Sequence, residues 1–170
     1  MRGPLRIPSK AYLIRKIRCV ADYQFGIGAG EKLFSDDVSL AFSRRTGRIR
    51  YVYLDGELLA TLRSSDGFFS LTIKGAERLM KAECSKRILV KVQEDISPFI
   101  ESGRNVFAKH VVSAGDEIRP REEVIVIDSK NKILAVGKAL LSGREMKYFK
   151  RGVAVQVRRG IGQKVKKCNE

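Results

Sequence analysis

The sequence predicts an α+β protein in two parts: an α+β domain over residues 1–85 and a small β-barrel domain over 86–160, with a basic tail at 161–170. Three observations predict it. Residues 9–25 repeat apolar side chains at helical spacing, with Leu13, Ile14, Ile17, Val20, Ala21 and Gln24 on one side and Arg15, Lys16 and Arg18 largely opposite. Short alternating segments separated by turn signals fill most of the remaining chain. The texture then changes near Ser85, beyond which closely spaced strands suit a small barrel.

Taken in order, Ser9 supplies the N-cap of the first helix, and Gly26, Gly28 and Gly30 break it, with a helical turn expected from Glu31 to Phe34. Val38, Leu40 and Phe42, then Ile49, Tyr51 and Tyr53, alternate as strands do. Asp55-Gly56 marks a hairpin into Glu57–Leu62. A strand over 68–73 leads to a helix over 74–83 carrying Ala76, Leu79 and Met80. In the second part, residues 87–92 read as a strand, and Ser97-Pro98 as an N-cap with a first-turn proline, closed by Gly103. Residues 105–112 read as one strand, and Glu123–Ile127 and 133–141 pair across the polar turn 128–132. Residues 142–150 form a loop or single helical turn. Residues 152–158 alternate, with Val153, Val155 and Val157 on one face and Ala154, Gln156 and Arg158 on the other. After Gly160 the chain is polar, basic and expected to be mobile.

With 44% hydrophobic and 31% charged residues the composition is that of a globular protein. No apolar run approaches the roughly 20 residues of a membrane span, and no secretory leader opens the chain. Cys19, Cys84 and Cys168 are scattered and odd in number, as expected of free thiols in the cytoplasm. The 34 Lys and Arg against 19 Asp and Glu give a net charge of +15, which suits a polyanionic partner. The charge is segregated. Residues 113–128 hold five acids and two bases, whereas 138–167 hold ten bases and one acid, Glu145. A second basic cluster comprises Arg44, Arg45, Arg48 and Arg50. A solvated basic surface is the competing explanation, but the ten-to-one imbalance favours nucleic acid.

Catalytic and metal chemistry find little support. His110 and the scattered cysteines have no metal-ligand spacing, and His110 reads as a packed or partly buried structural residue. FGIGAGEK follows a helix rather than a strand and lacks the Lys-Ser/Thr end of a phosphate loop, so it reads as helix termination with close backbone packing. A single histidine leaves no general base for a serine or cysteine nucleophile, and no cofactor is expected. The better material is Gly103, Arg104, Asn105, Val106 and Phe107, where a helix end and a following strand bring backbone amides and the charges of Arg104 and Lys109 toward a phosphate. Arg158 and Arg159 on the closing strand line the same groove in this reading, and Phe107 reads equally as core or as a base-stacking surface.

These residues carry a resemblance. Residues 88–159 resemble a PUA domain, the pseudo-barrel RNA-binding module, through SGRNVFAKHVVSAGDEIRPREEVIVID, ILAVGKALLSGREM and RGVAVQVR. The first part resembles the segment preceding that module in archaeosine tRNA-guanine transglycosylases, through ADYQFGIGAG and LDGELLATLRSSDGFFSLTIKGAERL. The resemblance implies a pre-PUA α+β domain followed by a PUA barrel. Such enzymes carry a separate catalytic barrel with an aspartate nucleophile and a Cys/His zinc site, for which this sequence has neither room nor ligands, so catalysis is not carried over. What is implied is a non-catalytic, archaeal-type protein that grasps tRNA at the acceptor stem and 3′ end through Gly103, Arg104, Asn105, Val106, Phe107 and Lys109, with Arg158 and Arg159 opposite. Arg144, Lys147, Lys150 and Arg151 then track neighbouring phosphates. The alternatives are a tRNA-binding subunit delivering tRNA to a separate catalytic chain, and a ribosome-associated adaptor.

Overall fold

The computed structural model describes residues 9–163. Helix α1 (Lys10–Phe25) begins where the Ser9 hydroxyl accepts the Tyr12 N–H at 3.3 Å, and it buries Ile14, Ile17, Ala21 and Phe25 as the spacing predicts. Gly26, with φ of +111°, ends it. The chain reverses into α2 (Ala29–Leu33), and Gly30 crosses so close to α1 that an added Cβ would lie 2.5 Å from the Arg18 carbonyl oxygen. Asp22 fixes this crossing by accepting the Gly30 N–H at 2.7 Å. The glycine-rich segment is therefore a packing device.

Strands β1 (Ser39–Phe42), β2 (Ile49–Leu54), β3 (Glu57–Leu62) and β4 (Phe69–Leu71) form an antiparallel sheet in sequential order. Asp55 and Gly56, at φ of 50° and 79°, make the β2–β3 turn. Helix α3 (Ile73–Leu79), capped by the Thr72 hydroxyl, is shorter than the expected 74–83. Residues Glu83–Ile88 form a 3-10 segment that carries the chain to the second sheet, which also delays the strand expected from residue 87 until Leu89.

The second sheet contains β5 (Leu89–Val92), β6 (Val106–Phe107), β7 (Val111–Ala114), β8 (Glu123–Ile127), β9 (Ile133–Ala139) and β10 (Val153–Gly160), in the order β6-β10-β9-β8-β5-β7. Among the described strands only β5 and β8 pair in parallel. The single strand expected over 105–112 is divided because Phe107 pairs with β10 whereas Val111–Ala114 pairs with β5. The 3-10 turn Ala108–His110 rounds that corner, so the two edge strands are joined by one turn and the barrel nearly closes. Helices α4 (Ser97–Glu101) and α5 (Gly143–Tyr148) complete the domain. Ser97 is already helical rather than an N-cap, because the 3-10 turn Glu94–Ile96 runs directly into α4. Alternation in β10 is broken by a bulge between Val157 and Arg159, and neighbouring Ala154 and Val155 are both fully buried. Residues beyond Gly160 do not fray at once: the Ile161 N–H bonds the Leu134 carbonyl at 2.9 Å and Gly162 bonds Glu101 at 3.0 Å. The rest of the basic tail, with Cys168, lies outside the described residues.

Two apolar clusters hold the molecule together. One fills the barrel with Val90, Val106, Ile118, Val126, Leu134 and Val155. The other runs from Ile17, Phe25, Phe34, Phe69 and Leu79 onto Ile125, Ile127, Ile133 and Val136 on the barrel's outer face. Every residue of β8 is buried, since Val124 and Val126 face the barrel while Ile125 and Ile127 face the first sheet.

The free edge of β4 is closed by side chains. Gln24 pairs with both backbone groups of Phe69, accepting its N–H at 2.7 Å and donating to its carbonyl at 2.9 Å. Glu123 accepts the Leu71 N–H at 2.8 Å, and Arg158 donates to the Leu71 carbonyl at 2.8 Å. An edge that would otherwise invite pairing is thus satisfied by three residues distant in sequence. Among the described residues no helix is long and apolar enough to cross a membrane.

Candidate nucleic-acid interface

Strand β6 places its two side chains on opposite sides of the barrel wall. Val106 is fully buried, while Phe107 is 48% exposed and is therefore a surface aromatic, not core. Beyond the short ladder of Val153 with Phe107 and Val155 with Val106, the Asn105 side chain takes over as partner and accepts the Val157 N–H at 3.0 Å. The Ala108 N–H bonds the Gly152 carbonyl at 3.0 Å, which brings the segment after α5 alongside Phe107. Together Phe107, Lys109, Lys150, Arg151 and Gly152 line a concavity of about 370 Å³. Gly152, at φ of +93°, allows the tight entry into β10. Among the described residues no acid lies within ion-pair distance of Lys109, Lys150 or Arg151.

Gly103 and Arg104 sit at the neighbouring end of α4. The Arg104 guanidinium stands 5.5 Å from the centroid of Phe99, itself 52% exposed. Gly103 has φ of +95° and lies beneath the side chain of Gln163, whose amide donates to the Ser102 carbonyl at 3.1 Å and accepts the Gly160 N–H at 3.2 Å. Of the backbone expected to meet a ligand, Gly103 is thus covered by the chain's own Gln163.

The other expected bases are directed elsewhere. Helix α5 starts with a capping box in which Ser142 and Glu145 satisfy each other's backbone N–H groups. Hydrogen bonds from the Ser142 backbone and side chain hold the Glu145 carboxyl below its usual range. Lys147 reaches Asp116 at 2.7 Å, and that hydrogen bond and charge hold the Asp116 carboxyl below its usual range. Arg144 lines a separate cleft of about 500 Å³ with Tyr23, Arg87, Asp116, Glu117 and Glu122. The acidic block of 113–128 therefore folds back onto part of the basic one.

Arg158 departs furthest from the groove expected of it. Its guanidinium bonds both oxygens of Glu123, one at 2.9 Å, as well as the Leu71 carbonyl. It thus lies against the first domain at Leu71, at the register shift of β10 between Val157 and Arg159. Arg159 is half-buried and makes no side-chain hydrogen bond among the described residues. Burial pushes the Cys84 thiol above its usual value, and the His110 ring bonds the Gln93 side-chain oxygen at 2.9 Å.

Comparison with known proteins matches residues 15–85 to the patch-forming domain C2 of tRNA-guanine transglycosylase and residues 88–161 to the PUA domain. The chain joins a transglycosylase C2 domain to a PUA domain. It is 45% identical over 145 residues to the tRNA-guanine(15) transglycosylase of Methanothermobacter thermautotrophicus, covering 85% of this chain and 22% of that one. It is 47% identical over 154 residues to the Pyrococcus abyssi enzyme, covering 91% and 26%. The chain thus spans about a quarter of the length of the curated relatives it matches. A hypothetical protein from Pyrococcus horikoshii has the same fold, with a TM-score of 0.71 at 24% identity over 92% of this chain and 94% of that one. A conserved PUA domain protein from Thermoplasma acidophilum gives 0.64 at 24% identity, over 92% and 93%.

Sequence reasoning missed the exposed aromatics Phe99 and Phe149 and the cover formed by Gln163. Phe99 adjoins buried Ile100 in a helix too short to show a periodicity, and nothing local marks Gln163.

Proposed function

We propose that this chain is a non-catalytic RNA-binding unit that holds tRNA by its acceptor stem and single-stranded 3′ end through the PUA domain. The observation that carries this reading is the acid-free concavity of Phe107, Lys109, Lys150, Arg151 and Gly152. Three uncompensated cations flanking an exposed aromatic ring suit phosphates beside an unstacked base. In this reading Gly103, Arg104 and Asn105, which lead from α4 into β6, extend the contact, while Arg144 in the separate cleft and Lys147 paired with Asp116 contribute only at its margin. The C2 and PUA matches and the charge of +15 support an RNA partner. In this reading residues 1–85 and 86–160 act as the two domains and 161–170 as a basic tail.

The test is binding of intact tRNA and of the same tRNA lacking its single-stranded 3′ end, each across a salt series. The reading expects steep salt dependence and a marked loss on truncation. Equal binding of both tRNAs removes 3′-end recognition and leaves phosphate tracking alone.

A further inference from the structure

The C2 domain carries a second basic and aromatic surface on the face of its sheet that lies away from the core. Leu40, Val52, Ala60 and Leu71 share one row across the four strands, and the last three are buried against the helices. The adjacent row, Ala41, Tyr51, Thr61 and Ser70, faces the other way, and Tyr53 pairs there with Ser39. The rings of Tyr51 and Tyr53 are neighbours, with centroids 6.2 Å apart, Tyr51 exposed and Tyr53 half-buried among small side chains. The Arg50 guanidinium stands 5.9 Å from the Tyr51 centroid. Exposed Arg44, Arg45 and Arg48 occupy the β1–β2 turn at the same end of the sheet. Among the described residues none of these four arginines has an acid within ion-pair distance.

We propose that this face is a second RNA-contact surface, in which Tyr51 and Tyr53 stack an unpaired base while Arg44, Arg45, Arg48 and Arg50 take the adjoining phosphates. Charge decides the class of partner. Three exposed arginines without ion pairs, with Arg50 held at the Tyr51 ring while it donates to the Leu62 carbonyl at 3.3 Å, match a phosphodiester chain with exposed bases, and each phosphate neutralised releases counterions. A purely apolar protein interface would leave those cations without partners. The inference rests on the RNA reading above but uses none of the residues of the PUA concavity, so the molecule would hold one structured RNA at two separated places.

The experiment compares three variants with the wild-type chain on intact and 3′-truncated tRNA across a salt series: Arg45→Glu/Arg48→Glu, Tyr51→Ala/Tyr53→Ala, and Lys109→Glu/Arg151→Glu. The arginine variant is expected to weaken both tRNAs at least tenfold and to reduce the salt slope by about 2. The tyrosine variant is expected to lose about tenfold, with Tyr51→Phe/Tyr53→Phe restoring binding because the ring is kept. Thermal melts separate lost folding from lost contact, and the arginine variant, altered only in an exposed turn, decides the matter if the alanine variant unfolds. Unchanged affinity and slope in the arginine variant, with loss in Lys109→Glu/Arg151→Glu, overturns this inference and leaves the PUA concavity standing. A wild-type chain that binds neither tRNA overturns the RNA reading itself, and this surface with it.

Discussion

Arg158 and Glu123, 35 residues apart, form an ion pair whose carboxylate is 1% exposed and which also binds both backbone groups of Leu71. The pair joins the PUA barrel to the edge of the C2 sheet. A buried carboxylate tolerates this position only while its partners remain, so the pair fixes how the two sheets meet.

Arg158→Ala is accordingly expected to destabilise the protein by about 2–3 kcal/mol, toward the low end for a broken buried pair because Arg158 itself stays 40% exposed. This reverses the expectation that follows from placing Arg158 in the RNA groove, where its loss would spare stability. Chemical denaturation of the variant checks it. A midpoint equal to wild type would show that the pair contributes nothing net.

Lys109→Glu and Arg151→Glu should behave in the opposite manner. Both side chains are exposed and have no acidic partner among the described residues, so melting temperatures should stay within about 2 °C of wild type. Each substitution should lower tRNA affinity and reduce the salt slope by roughly 1. Loss of affinity with an unchanged slope would mean that neither residue meets a phosphate.

Phe107→Ala separates base stacking from charge. Removing a 48% exposed ring should reduce affinity for tRNA bearing its 3′ end by about tenfold and leave the truncated tRNA unaffected. An equal reduction for both tRNAs would place the ring against the duplex instead of the single strand.

The capping box gives a pH signature. Glu145 is held below its ordinary value of 4.5, so its bonds to Ser142 stabilise the folded chain above the unfolded value. That contribution disappears as pH falls through the lower folded value. Glu145→Gln should therefore melt below wild type at neutral pH, and the gap should close as the pH falls through the folded value. A constant gap across that range would show that the carboxylate is not the group involved.

Much of this architecture was legible in the chain. The face of α1, the Asp55-Gly56 hairpin and the strands of both sheets follow from periodicity and turn chemistry. What could not be read locally was pairing at a distance. Residues 105–112 look like one strand because alternation does not say that Phe107 and Val111 have different partners. Arg158 alternates like a groove residue because a bulge is invisible in composition. The run Glu123–Ile127 did hold a clue, since a strand apolar on both faces must be covered twice, and the buried carboxyl of Glu123 within it needed a cationic partner. The charge blocks likewise looked unpartnered only along the sequence, and Asp116 and Glu123 find Lys147 and Arg158 in space.

Gln163 provides the last test. Its amide spans Ser102 and Gly160 above Gly103, occupying the backbone that an RNA end would approach. A ligand reaching Gly103 has to displace those two hydrogen bonds, worth about 1–3 kcal/mol together in net terms. Gln163→Ala is therefore expected to tighten binding of tRNA carrying its 3′ end by about fivefold or more, with little change for the truncated tRNA. Gly103→Ala should act differently: at φ of +95° an added Cβ strains the backbone as well as meeting Gln163, so stability falls by about 1–2 kcal/mol. If Gln163→Ala instead weakens the intact tRNA, the amide is a contact to the RNA rather than a cover over its site.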